Sequence, residues 1–214
     1  MSMLEAEQSD DERLSDLLKE LVNVGGGRAL SSLSQLLFGA ALRPSVPDIS
    51  VGDAAVRQAL GGVRDGLWVV SLGVGDGLPG TFVLLFETTA AKAFAASMTR
   101  GAGAASPSQS THLGPLERSA LMELGNILAC AFAEAVGSLL HKTVVPSTPS
   151  LEHVRGGPAL AQQLAQLGEP VLVQTHFTGS SPELRGQIAM LWDRTAAREL
   201  GRWMQQGAAA DRRG

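Results

Sequence analysis

The sequence predicts an α+β fold with pseudo-twofold symmetry, an antiparallel sheet covered by helices. Three observations predict it. Residues 16–23 (D-L-L-K-E-L-V-N) are answered by residues 119–126 (S-A-L-M-E-L-G-N) at an offset of 103. Pro47 and Pro149 follow at an offset of 102, and residues 86–92 (F-E-T-T-A-A-K) are answered by residues 192–198 (W-D-R-T-A-A-R) at 106. Each copy also keeps one order of parts: helix, short strand, hairpin, helix. The reading is a single domain over residues 1–214, made of pseudo-repeats 10–100 and 112–206. The Gly/Ala/Ser-rich stretch 101–111 joins them. Two small antiparallel sheets, each with an apolar face, are covered most cheaply by joining the sheets and laying helices across them.

The first helix opens at a capping signal, Ser9 with Glu12 three residues on. Leu14, Leu17, Leu18, Leu21 and Val22 then recur at helical spacing. Gly25, Gly26 and Gly27 should break or bend that helix, with the apolar period resuming at Leu30, Leu33, Leu36 and Leu37. In the second half Pro115 suits a first helical turn. Leu121, Leu124, Ile127 and Leu128 form the stripe of a helix running to about His141. Residues 46–51 read as a short strand. Residues 67–72 and 81–86 flank a Gly/Pro-rich turn and read as a hairpin, with 170–175 and 186–191 as its counterpart. Residues 88–100 and 194–206 are the closing helices. Trp68, Trp192 and Trp203 fall at positions that read as core.

Composition excludes several function classes. Of 214 residues, 44% are hydrophobic and 18% charged, enough to bury a core without staples. The net charge of −4, with no basic stripe, argues against a nucleic-acid partner. Cys130 is the one cysteine, so no internal disulfide forms, and it reads as a small core thiol. His112, His141, His153 and His176 show no ligand spacing, and no metal site is expected. The acidic N-terminus has no charged-then-apolar leader. No apolar run approaches the ~20 residues of a membrane span. The expectation is a cytoplasmic chain with no membrane association.

The chemistry concentrates on the two opening helices. Residues three and four apart share a helix face. Asp16, Glu20 and Asn23 meet that spacing, and Ser119, Glu123 and Asn126 repeat it. Each face thus sets a carboxylate beside a carboxamide. A carboxylate grips a cation, and a carboxamide donates and accepts hydrogen bonds and so orients a water. A Glu and an Asn at this spacing are most often a solvated face. Against that, Asn is a mediocre helix former, disfavoured by up to ~0.7 kcal/mol relative to Ala, yet it sits mid-helix twice. The glycine run lacks the following lysine-serine pair and the strand–loop–helix setting of a phosphate-cradling loop.

These residues resemble the CheC/CheX/FliY family of CheY-phosphate phosphatases, whose motif is Asp or Ser, three residues, Glu, two residues, Asn, twenty-two residues and Pro. Ser119, Glu123, Asn126 and Pro149 fit every element, and Asp16, Glu20, Asn23 and Pro47 fit with one extra residue before the proline. The flanks, residues 23–31 and 118–128, are also similar to the family's two motif helices. With two Glu-Asn pairs, and room for neither an added CheY-binding peptide nor an appended switch domain, the sequence looks closest to CheC. The resemblance implies a CheC-like fold and an enzyme that hydrolyses the aspartyl phosphate of a CheY-like response regulator in chemotaxis. It implies that Asn23 and Asn126 orient the attacking water and that Glu20 and Glu123 pair with the regulator's lysine. Asp16 and Ser119 would shape the contact surface, and Pro47 and Pro149 would set the turn after each motif helix. The enzyme would need no cofactor of its own, the regulator supplying Mg²⁺. CheD is a further partner that the resemblance admits, and a monomer is expected because the duplication supplies internally what a dimer would. Two alternatives stand beside this: a non-catalytic adaptor binding CheD or a regulator, and a flagellar switch component.

Overall fold

The computed structural model describes residues 3–37, 40–60, 66–75, 80–99, 112–155, 169–181 and 183–211, with backbone alone for 3–8 and 206–211. The expected linker 101–111 lies outside them. In chain order the elements are α1 (Met3–Leu36), β1 (Arg43–Pro44), β2 (Asp48–Val51), α2 (Asp53–Leu60), β3 (Leu67–Gly75), β4 (Gly80–Glu87) and α3 (Thr88–Thr99). Then follow α4 (Pro115–Leu140), β5 (Val145–Pro146), β6 (Ser150–Val154), β7 (Pro170–Thr178), β8 (Arg185–Asp193) and α5 (Arg194–Asp211). The fold is α+β, with an eight-stranded antiparallel sheet in the order β1-β7-β8-β4-β3-β5, to which β2 adds on β7 and β6 on β3.

Both expected hairpins form, β3 with β4 and β7 with β8. Their inner strands meet in the middle of the sheet, where Val83 pairs with Ala189. The outer edges are exchanged. The strand after α1 pairs with β7, and the strand after α4 pairs with β3.

Strand side chains alternate between two faces. Trp68, Val70, Leu72, Phe82, Leu84, Phe86, Val173, Met190 and Trp192 point into the main core beneath the helices. Leu67, Val69, Val83, Leu85, Leu172 and Leu191 point the other way, into a second buried cluster with Val56 and Leu60 of α2. Burial on both faces explains the unbroken apolar runs in β3 and β4. The sequence reading covered only one face and missed α2. Its eight residues are too short for a persuasive helical period. Within the main core Phe94 of α3 packs on Phe86 and Phe177, with ring centroids 5.0 and 6.0 Å apart.

Two expectations about α1 are corrected. It begins at Met3, so Ser9 lies within the helix and does not cap it. It also runs unbroken through the three glycines. A Cβ on Gly25 would stand 2.5 Å from the Phe132 ring of α4, so this glycine lets the two helices approach. Gly26 is buried over β7, and Gly27 faces open space. Interior glycine costs about 1 kcal/mol against alanine, a cost the α1–α4 packing offsets.

Helix α4 starts with Pro115 in its first turn, and the Glu117 carboxylate accepts the Gly114 N–H at 2.7 Å. It ends at His141, whose φ of 52° is left-handed. At 26 residues α4 is long and apolar enough to cross a membrane, contrary to the expectation that no run approaches that length. Its apolar surface is spent on the core: Leu121, Leu124, Leu128, Phe132 and Val136 are fully buried.

Gly25→Ala should lower the unfolding free energy by about 1–3 kcal/mol through overpacking against Phe132. Gly27→Ala, in open space on the same helix, should raise it by about 0.5–1 kcal/mol. Urea denaturation of both variants measures the contrast.

Candidate functional site

The apolar stripes of α1 and α4 face each other and the sheet, which turns the motif faces outward. Asp16, Glu20 and Asn23 are exposed on α1; Ser119 and Glu123 are exposed on α4, and Asn126 is half-buried. Among the described residues, no ion pair or side-chain hydrogen bond engages Asp16, Glu20, Asn23, Ser119 or Glu123. Both glutamate carboxylates and the Asn23 carboxamide are therefore unspent. Asn126 has one neighbour of note: the Cys130 thiol, one turn on, lies 3.9 Å from its Oδ1. Cys130 is exposed, which corrects the expectation of a core thiol. The stripe ends at Glu134, which pairs with Arg28 of α1 at 3.7 Å. Among the described residues no three His, Cys, Asp or Glu side chains come together to hold a metal ion.

The prolines lie in bulges of the edge strands, a correction to the turn expected of them. In the second half Pro146 pairs with Val74 and Ser150 with Ser71. Between them, the Ser147 N–H donates to Gly73 O at 2.8 Å, and the Gly73 N–H donates back to Ser147 Oγ at 2.9 Å. Thr148 and Pro149 are thus left opposite Leu72 alone, two residues against one. The first half repeats this. Pro44 pairs with Phe177 and Asp48 with Gln174. The Ser45 N–H donates to His176 O at 2.7 Å, and the His176 N–H donates to Ser45 Oγ at 3.0 Å. Val46 and Pro47 are left opposite Thr175. Proline has no N–H, so at the bulge it leaves no ladder donor unpaired. Sequence reading singled out the prolines and overlooked the serines. The signal was legible, since Pro44-Ser45-Val46-Pro47 and Pro146-Ser147-Thr148-Pro149 share the spacing Pro-Ser-x-Pro.

The second bulge is the far wall of a groove whose near wall is the motif face. The groove has a volume of about 490 Å³ and is lined by Ser119, Met122, Glu123, Asn126 and residues 146–149. All four residues of the second motif copy, Ser119, Glu123, Asn126 and Pro149, therefore meet in one open space. In the first copy the helix residues share their face, while Pro47 is buried and Val46 beside it is 86% exposed.

Ser147→Ala should remove the acceptor for the Gly73 N–H, speed exchange of that amide and cost about 0.5–1.5 kcal/mol of stability. Ser147→Thr should keep the amide protected. Hydrogen exchange at Gly73 with chemical denaturation measures both.

No protein-family model matches the sequence. Several solved structures do. FliY of Thermotoga maritima superposes with a TM-score of 0.70 at 20% identity, over 91% of this chain and 96% of that one. The FliM middle domain of H. pylori gives 0.58 at 14% identity, over 90% and 98%. CheX of Borrelia burgdorferi, in a complex with CheY, BeF3 and Mg²⁺, gives 0.51 at 16%, over 79% and 95%. At these identities the likeness is one of fold: the chain has the CheC-like α+β fold of FliY, CheX and the FliM middle domain, in keeping with the family its two motifs resemble.

Proposed function

We propose that this chain is a phosphatase for the aspartyl phosphate of a CheY-like response regulator in chemotaxis signalling. The observation that carries the reading is the groove that gathers Ser119, Glu123, Asn126 and Pro149 while the Glu123 carboxylate stays unspent. An aspartyl phosphate is an acyl phosphate that hydrolyses on its own. Phosphoryl transfer needs positioning and charge stabilisation more than covalent chemistry. In this reading Asn126, and Asn23 on the other face, hold a water in line with the phosphorus through the carboxamide. Glu123 and Glu20 pair with a lysine at the regulator's phosphorylation site and fix the docking. Asp16 and Ser119 border the contact, and Pro47 and Pro149 belong to the bulges behind it. The Mg²⁺ that neutralises the phosphoryl oxygens arrives with the regulator. The enzyme acts as a cytoplasmic monomer of two pseudo-repeats, with CheD as a candidate second partner.

A non-catalytic reading draws on the FliM middle domain, which has this fold and is also seen in an H. pylori complex with FliG. On that reading the exposed motif faces are docking surface only, for a regulator, for CheD or within a flagellar switch.

The two readings differ in one assay, phosphate release from a phosphorylated CheY-type regulator of the same organism with Mg²⁺. The wild type should accelerate release. Asn23→Ala plus Asn126→Ala should reduce the acceleration by about 100-fold or more, and the single Asn126→Ala should remove the larger share. A wild type that binds the regulator and leaves the rate of phosphate loss unchanged would establish the adaptor.

A further inference from the structure

The offset of 103 that sets Asn23 against Asn126 also sets Gly27 against Cys130. The two carboxamides therefore differ in what stands one turn on. Helical side chains lean toward the N-terminus, so the residue at i+4 covers residue i. Cys130 does this: its thiol donates to the Asn126 Oδ1 at 3.9 Å, and Asn126 is half-buried. Beside Asn23 the glycine supplies no side chain. A Cβ at Gly27 would meet nothing within 4 Å, and Asn23 is exposed, with no side-chain hydrogen bond among the described residues. A serine at 130 would not serve in place of the cysteine. Ser31, Ser97 and Ser138 each turn the hydroxyl to the carbonyl four residues back, at 2.9 Å. That is the common behaviour of a hydroxyl within a helix. A thiol is a weaker donor, and here it reaches the side chain instead. The carbonyl end of the Asn126 amide is thus held on the Cys130 side, and its NH2 end is turned away.

We propose that Cys130 is a positioning residue for Asn126: its thiol holds the carboxamide in one orientation at the groove, while the Asn23 carboxamide turns freely. An exposed Asn visits several χ1 wells and a broad range of χ2. Holding it in advance removes part of the cost of ordering it around a water in the transition state. The role of Asn126 as the group that orients the water rests on the phosphatase reading; the restraint on its side chain does not. The second face is then the pre-organised one. The restraint is also transferable, because a cysteine at position 27 has room beside Asn23.

Side-chain ¹⁵N relaxation of the two Asn amides under reducing conditions reads the restraint directly. In the wild type the Asn126 NH2 should be more ordered than the Asn23 NH2. Cys130→Ala should bring Asn126 down to the level of Asn23. Gly27→Cys should raise the order of Asn23, and Gly27→Ala, which adds a methyl group and no thiol, should not. Both positions are exposed, so urea denaturation should show every variant folded. In phosphate release, Cys130→Ala on the Asn23→Ala background should lower kcat about threefold, the effect of one weak sulfur hydrogen bond, with KM for the phosphorylated regulator unchanged. Gly27→Cys on the Asn126→Ala background should raise kcat about threefold. An Asn126 amide as mobile as that of Asn23 in the wild type, or one that keeps its order in Cys130→Ala, would overturn the assignment. Amide order that follows the thiol while kcat stays fixed would overturn its part in the reaction. Amide order that follows the thiol in a protein that releases no phosphate would sink the phosphatase reading and uphold the restraint.

Discussion

Each half of this chain completes its sheet on the other half. The strand that follows α1 is hydrogen-bonded to β7, and the strand that follows α4 is hydrogen-bonded to β3. The β4–β8 seam joins the two hairpins between them. The rest of the structure follows from this exchange. An edge strand without a partner would leave a row of peptide groups unpaired, and a lone two-stranded hairpin is marginal in water. The exchange also fixes the walls of the site. A bulge beside one motif helix is placed by a hairpin from the opposite half, through the bonds to Gly73 and His176. The distance between a motif face and its bulge is thus set by long-range pairing and not by the short loop between them.

Close packing of α1 on α4 sets the second constraint. Gly25 admits the Phe132 ring, and Gly125 admits the Val70 side chain of the sheet below. Phe132 in turn packs on Phe82 with centroids 5.2 Å apart. Both motif helices are seated deep enough that only one side of each can carry polar side chains, and the Glu-Asn pairs lie there. Around this core the charges contribute little. Asp11 meets Arg194 at 2.8 Å and Arg198 at 3.7 Å, fastening the start of α1 to α5. Such exposed pairs are worth about 0.2–1 kcal/mol each. The stability of the fold lies in its apolar contacts, which leaves the surface charges available for recognition.

The symmetry of the frame does not extend to its surfaces. On the motif faces Asp16 answers Ser119, and Gly27 answers Cys130 beside Asn126. On the bulges Val46 answers Thr148. Pro47 is buried, while Pro149 lines an open groove. One extra residue between Asn23 and Pro47 separates the two halves at this point. A fold that repeats its hydrogen bonds and varies its exposed side chains presents two related but distinct surfaces from one scaffold.

Much of this was legible in the sequence, and the part that was legible is local. Helical spacing placed Glu20 with Asn23 and Glu123 with Asn126 on common faces, because a helix fixes which side chains are neighbours. The hairpins declared themselves through apolar runs around a turn. Local signals also misled. Ser9 read as a cap and the glycines as a break, because neither shows that α1 extends further back or that Phe132 waits opposite Gly25. Cys130 read as core because its helix is apolar, while its side chain falls on the motif face. The exchange of edge strands, the covering of the sheet's second face by α2, the bulges at Ser45 and Ser147 and the groove at Asn126 were decided only by the tertiary structure. The exchange and the bulges depend on pairing between residues about seventy or more positions apart, and neither periodicity nor propensity carries information over that distance.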